Sequence, residues 1–482
     1  MNKHNNISNI ISKYAWWDIY YVLTVLCYIS TLFSDAMRPG VAGCVLMLLI
    51  AGEFIVRNRS NIRPSAVKSL NLIDWLVFSY VVYNLLSVIW LIKSGMPVNV
   101  FVEECAVSLV PVLFYAVGRT PLEREGSFYK VFLIAYGILA IASLLLYVIG
   151  PQFYADFLYK WSHISKADIP TMRVRMESVT GSTIFGALSV YAMAAGAFIM
   201  LEGPASNTIH GEKNITDTET GDSRKLGRRS TFIGIVCMAA GFAFACLSSQ
   251  RSAMVVAFLV VLYVNWLIFF VQRTVPKKYF IVECIAIAVA FAALLVVAPN
   301  LVMKVYYRVE SLPLAVGERS EQWVAAVNAM YSSWIGNGLG ANGHKALGIP
   351  DAKVIADGGL VKMFCELGVI GFSIFVYIMI LIFTKGVKHI GKCYAELGII
   401  AVTLLQCIGS DTLSFQMCAP MFWYAVGRST SWIYYESGDE RAARTSDAAI
   451  DGITGTKEND AAADVMADVK EDDTEIRAEE HV

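Results

Sequence analysis

"LSSQRSAMVVAFLVVLYVNWLIFFV" occupies residues 247–271, and its reading decides the class of fold. From Ala253 to Val271 it carries no charged side chain. A helix that crosses a bilayer needs about 20 mainly apolar residues, because inside hydrocarbon every backbone N–H and C=O must be paired within the segment. This run meets that requirement. A second apolar run, near 230–248, precedes it, so Arg251 is expected in a minimal turn between two spans, too short to wander from the membrane surface.

The same reading extends outward. Runs of spanning length lie near 17–33, 40–56, 72–92, 100–118, 130–149, 181–201, 230–248, 253–271, 279–298, 360–384, 395–413 and 415–435. Of the 482 residues, 56% are hydrophobic and 16% charged, and the mean hydropathy is +0.55, which together exclude a soluble globular class. The expectation is an all-α polytopic membrane protein of about 12 transmembrane helices. They fill residues 1–435, with one large external loop at 299–359 carrying short helices and a second external loop at 150–180.

Loop charge sets the orientation. "RNRSNIRPSAVK", "RTPLEREGSFYK", "EKNITDTETGDSRKLGRRS", "QRTVPKK" and "KGVKHIGK" fall on one side, which makes both termini cytoplasmic. The first apolar run lacks a small-residue cleavage site and reads as a retained helix. Residues 436–482 hold 15 acidic and 5 basic residues, leaving 34 basic against 25 acidic in residues 1–435. So acidic and Ala-rich a segment buries too little apolar surface to offset ordering entropy and reads as a disordered cytoplasmic tail. The 10 cysteines are scattered singly, without metal-type spacing, and read as small core residues. No metal site and no cofactor is expected.

Phosphate-loop, HExxH and GxSxG patterns are absent, against ATP-driven transport, metalloprotease and serine hydrolase chemistry. "GNGLGANG" does contain GxGxxG at Gly338, Gly340 and Gly343, but with no preceding strand and on the external side. It reads as a tight turn, compatible with backbone N–H groups approaching an anion.

The external arginines are the sharper signal: Arg173 and Arg175 in "TMRVRMESVTGS", Arg251 in "LSSQRSAM", Arg308, and Arg319 in "GERSEQW". One such arginine can simply anchor a helix end. Several converging would bind a di-anion, since guanidinium stays charged and forks onto phosphate. Asp357 in "VIADGGLVKMF" stands where an N-terminal cap or a functional carboxylate would. His344 lies in the Gly-rich loop, and Trp323 follows Arg319 by one helical turn. Glu53, Glu283 and Glu366 lie in or near apolar spans, and Glu103 and Glu104 open the fourth one.

In this order the segments resemble the superfamily of bacterial O-antigen ligases and O-antigen polymerases. "RVRMESVTGSTIFGALSVYA" is similar to its Arg-containing start of a mid-chain helix, and "LSSQRSAMVVAFLVV" to its Ser/Arg turn. "GERSEQWVAAV" with "SSWIGNGLGANG" resembles an R-x-x-x-W segment followed by a G-x-G run, and "DGGLVKMFCELGVIGFSIF" its closing block. The resemblance covers roughly residues 170–385. It implies glycan transfer from undecaprenyl diphosphate at the periplasmic face of the bacterial inner membrane, with the large loop forming part of the active site.

Ligases of the superfamily open that block with a His in a pattern like H-x-[NS]-x-x-L, where this chain has Asp357 followed by "GGL". That departure favours polymerase. The resemblance then implies Arg251 and Arg319, with Arg173 or Arg175, on the donor diphosphate, Arg308 as a further substrate-binding residue, and Asp357 as acceptor base. His344 is the backup base, Trp323 stacks on sugar or packs, and Gly338 and Gly340 approach the ligand. Partners are the lipid-linked oligosaccharide, membrane lipids and, if one is used, a chain-length regulator; no nucleic acid is implied. The alternatives are a ligase acting on lipid A core and a transporter of lipid-linked glycan.

Overall fold

In the computed structural model the described residues are 16–30, 39–57, 70–119, 127–149, 176–209 except 177, 221–271, 299–310 and 312–434 except 356, with scattered positions between 280 and 296. These are mostly helical, with irregular segments such as 330–343 and 347–355, and there is no strand among them. In chain order the helices are α1 (Trp16–Ser30), α2 (Pro39–Arg57), α3 (Leu72–Leu86), α4 (Val88–Lys93), α5 (Val98–Glu104), α6 (Leu113–Gly118), α7 (Ser127–Ile149), α8 (Ser182–Ile209) and α9 (Gly221–Leu247). There follow α10 (Arg251–Trp266), α11 (Pro299–Glu310), α12 (Leu312–Asn328), α13 (Gly359–Gly386), α14 (Ile390–Gly409) and α15 over 419–434.

Seven segments among the described residues are long and apolar enough to cross a membrane: Leu72–Lys93, Val98–Gly118, Phe128–Val148, Ser182–Leu201, Ser230–Leu247, Arg251–Val271 and Gly359–Gly409. That is fewer than the dozen expected, for identifiable reasons. The apolar parts of α1 and α2 are short, Tyr20–Ser30 and Ala42–Glu53. The run near 279–298 lies mostly outside the described residues, α15 is short, and the runs near 360–384 and 395–413, which form α13 and α14, are counted together within Gly359–Gly409.

The bundle is organised around α8, of whose spanning window 89% is buried. Small residues make that burial workable: α7, α9, α10 and α14 all pack on α8, and α9 most extensively. A Cβ on Gly234 of α9 would lie 2.5 Å from the Gly196 carbonyl of α8, and one on Gly241 2.6 Å from the Ser189 carbonyl. Without a hydrophobic force between helices in lipid, such close backbone approach provides the packing. Tyr191 and Thr403 add a hydroxyl–hydroxyl bond of 2.7 Å from α8 to α14. At the start of α3, Asn71 and Asp74 form a reciprocal capping box. Asp74 also accepts from Arg119 Nε at 2.9 Å and Nη2 at 3.0 Å, fastening the end of α6 to α3.

α13 is not continuous. At Gly368 the backbone has φ 63° and ψ −172°, and the segment 333–338 runs alongside the break. Asn337 N–H and Gly338 N–H donate to the carbonyls of Cys365 and Glu366 at 2.9 Å each, while Val369 N–H and Ile370 N–H donate to the carbonyls of Ser333 and Trp334. Irregular backbone within an apolar helix is tolerated when protein groups satisfy it, and here the loop does so. Glycine is required on both sides: a Cβ on Gly368 would lie 2.5 Å from Gly336 N, and one on Gly336 2.3 Å from the Glu366 carbonyl.

Candidate functional site

At one end of the bundle, the start of α8, the α9–α10 turn, α12, Asp357 just ahead of α13 and the end of α14 enclose a pocket of about 200 Å³. It is lined by Thr183, Ser249, Gln250, Arg251, Ser252, Arg319, Asp357 and Gly409, almost all of them polar. The turn is as short as the sequence suggested. Ser249 adopts φ 51°, unusual for a residue with a side chain, and Arg251 follows as the first residue of α10.

α12 grips Asp357 twice. Arg319 Nη2 donates to Asp357 Oδ2 at 2.7 Å, and Trp323 Nε1, one turn further along, donates to the Asp357 carbonyl at 2.8 Å. The close fit of Trp323 explains the following residue: Gly358 has φ 112°, and a Cβ there would lie 2.7 Å from Trp323 Nε1. The capping reading of Asp357 is corrected by this arrangement. Gly358 occupies the position before α13, without a side-chain cap, and the Asp357 carboxylate turns to Arg319 instead. Gly409 marks where the walls meet, since a Cβ on it would lie 3.7 Å from Arg319 Nη1 and 3.4 Å from Ser252 Cβ.

Two guanidinium groups against one carboxylate give the pocket a net positive formal charge, and the N-terminus of α10 adds to it. With the hydroxyls of Thr183, Ser249 and Ser252 nearby, the arrangement is suited to an anion with several oxygens.

Arg251, Arg319 and Asp357 are therefore brought together from three separated segments. Trp323 lies beside the pocket as a support for Asp357. His344 is exposed on a short 3₁₀ turn and is not among the pocket's lining residues. Gly338 spends its amide on the Glu366 carbonyl, and Gly338 and Gly340 pack on Leu91 and on Val100 and Glu104. Arg173 and Arg175 lie outside the described residues, as does the side chain of Arg308 on α11.

A second polar group was missed in part. Lys362 Nζ lies 2.7 Å from Glu104 Oε1, 2.7 Å from Asp411 Oδ2 and 2.8 Å from Ser414 Oγ, all deep in the bundle. Glu366, one turn after Lys362, accepts from Asn342 N–H at 3.2 Å. The available signal was Lys362 itself, a cation in the first turns of an apolar span, which demands buried counterions. Among the described residues, no group of three or more His, Cys, Asp or Glu side chains is arranged to hold a metal ion.

No family model matches the chain, and no curated protein matches it.

Proposed function

We propose that this chain is a membrane glycosyltransferase that polymerises oligosaccharide repeats carried on undecaprenyl diphosphate at the periplasmic face of the bacterial inner membrane, for O-antigen, capsule or exopolysaccharide. The observation that carries the reading is the convergence of Arg251, Arg319 and Asp357 on one polar pocket at the end of an apolar bundle. It is supported by the ordered resemblance of residues 170–385 to the O-antigen polymerase and ligase superfamily. The orientation belongs to the same proposal: N- and C-termini inside, about 12 spans in all, and the pocket outside.

In this account Arg251 and Arg319 hold the donor diphosphate. The acceptor hydroxyl oxygen attacks the anomeric carbon of the donor sugar, and the bond from that carbon to the diphosphate oxygen breaks. Its electron pair leaves with the lipid diphosphate, where the guanidinium groups neutralise the developing charge. The hydroxyl proton passes to the Asp357 carboxylate and from there to water. An ionised carboxylate is a weak base, so most of the rate comes from leaving-group stabilisation and orientation.

The test is complementation of a strain lacking the gene with wild type, Arg251→Ala or Arg319→Ala, with membrane levels matched, followed by gel banding of the surface polysaccharide. Wild type should restore a long ladder and the variants should leave single repeats. Long chains that accumulate on the carrier lipid when the protein is absent would instead mean a ligase. Unchanged ladders in both variants would remove the pocket from the chemistry.

A further inference from the structure

The pocket holds its own competitor for an anion. Among the described residues Arg319 is the one side-chain partner of the Asp357 carboxylate, at 2.7 Å, with the two side chains 26% and 39% exposed. The backbone that follows that carboxylate is pinned. Trp323 Nε1 holds the Asp357 carbonyl, and Gly359 N–H donates to the Ser410 carbonyl at 3.2 Å. Side-chain rotation at Asp357 therefore breaks the ion pair without moving a helix.

We propose that Asp357 is a displaceable occupant of the anion position on Arg319, so that an arriving phosphate takes the guanidinium and sets the carboxylate free. The inference rests on reading the pocket as a diphosphate site. A partly exposed ion pair is weak, whereas a diphosphate offers more charge and a bidentate match to the fork. Arg251 lines the same pocket, so the arriving anion meets a second guanidinium there. The consequence is an order of binding. Before the donor is seated the carboxylate faces Arg319; once the donor is seated, the same carboxylate is released beside the reacting centre, where an acceptor hydroxyl needs it.

The relation between competition and affinity fixes the sign of the test. When the binding-competent state is a fraction of the population, apparent affinity falls by that fraction, so a pair formed about nine-tenths of the time weakens anion binding about tenfold. Inorganic pyrophosphate is titrated calorimetrically into the purified full chain in detergent, as wild type, Asp357→Asn, Asp357→Ala, Arg319→Ala and the double variant Arg319→Ala with Asp357→Ala. Melting temperatures are recorded for each, so that affinities are compared among folded proteins. Both Asp357 variants should bind pyrophosphate several-fold to about tenfold more tightly than wild type, and the double variant no more tightly than Arg319→Ala, because the competition acts only through that arginine.

Equal or weaker binding by both Asp357 variants, with Arg319→Ala still impaired, would overturn the competition while leaving the anion site in place. If Arg319→Ala binds as wild type does, or if pyrophosphate binds none of the proteins, the diphosphate reading fails and the inference falls with it.

Discussion

Lys362 Nζ and Asp411 Oδ2 lie 2.7 Å apart with the two side chains 3% and 6% exposed, and Glu104 completes the pair into a triad. An ammonium so deeply buried is stable only when paired and hydrogen-bonded. The triad joins the start of α13, the end of α5 and the segment after α14. The residues flanking it in sequence are walls of the candidate site: Asp357 precedes α13, and Gly409 ends α14. Gly359 links the two more tightly still, since a Cβ on it would lie 3.0 Å from Asp411 Oδ1. The ion triad is thus the foundation on which the polar pocket is built.

Replacing Lys362 with Met leaves Glu104 and Asp411 facing each other without a cation. The expected cost is about 3–5 kcal/mol, the scale for breaking one partner out of a buried pair. Thermal unfolding in detergent should show a large fall in melting temperature for Lys362→Met. Adding Glu104→Gln and Asp411→Asn should recover much of it, because the uncompensated charges are then gone.

Gly368→Ala meets two obstacles at once, a positive φ and a Cβ placed 2.5 Å from Gly336 N and the Trp334 carbonyl. It should destabilise by more than about 1 kcal/mol. Gly391→Ala, in α14 with nothing near its Cβ, is the control and should be neutral or slightly stabilising. Folded yield and melting temperature of the two variants, side by side, provide the check.

Trp323→Phe keeps a ring beside Gly358 but removes the donor to the Asp357 carbonyl. The loss of that bond should cost about 1 kcal/mol of stability. Pyrophosphate affinity should change little, because Arg319 and Arg251 remain. A large loss of affinity in calorimetry would mean that the indole touches the ligand.

Arg251→Lys preserves charge but loses the planar fork. If the arginine grips phosphate bidentately, pyrophosphate affinity should drop about tenfold, one lost charge-assisted hydrogen bond being worth about 1.5 kcal/mol. An unaltered affinity would reduce Arg251 to a general positive charge.

Helicity and membrane character were legible in sequence because hydropathy acts over whole segments: the run from Ala253 to Val271 announces itself without any partner. Arg251, Arg319 and Asp357 were each singled out in the sequence, but their meeting in one pocket is visible only in the structure. What was not legible depends on contacts between distant segments. The break at Gly368 exists because residues 333–338 run beside it, and neither stretch alone signals that pairing. For Asp357 a helix cap stayed open beside a functional carboxylate, because the sequence does not show that its side chain turns to Arg319. The glycines of "GNGLGANG" looked open to a ligand, yet Gly338 serves the broken helix and Gly340 packs on Val100. Lys362 was passed over because its partners, Glu104 and Asp411, lie 258 and 49 positions away.

Polymerisation is decided with the purified protein in lipid nanodiscs, supplied with a labelled oligosaccharide on undecaprenyl diphosphate and no other enzyme. Following both glycan length and free lipid diphosphate separates chemistry from transport. The expected result is a lengthened glycan still attached to carrier lipid, with one undecaprenyl diphosphate released per repeat added, and loss of both products in Arg251→Ala and Arg319→Ala. Carrier-linked glycan that stays one repeat long, with no diphosphate released by well-folded wild type, would contradict it.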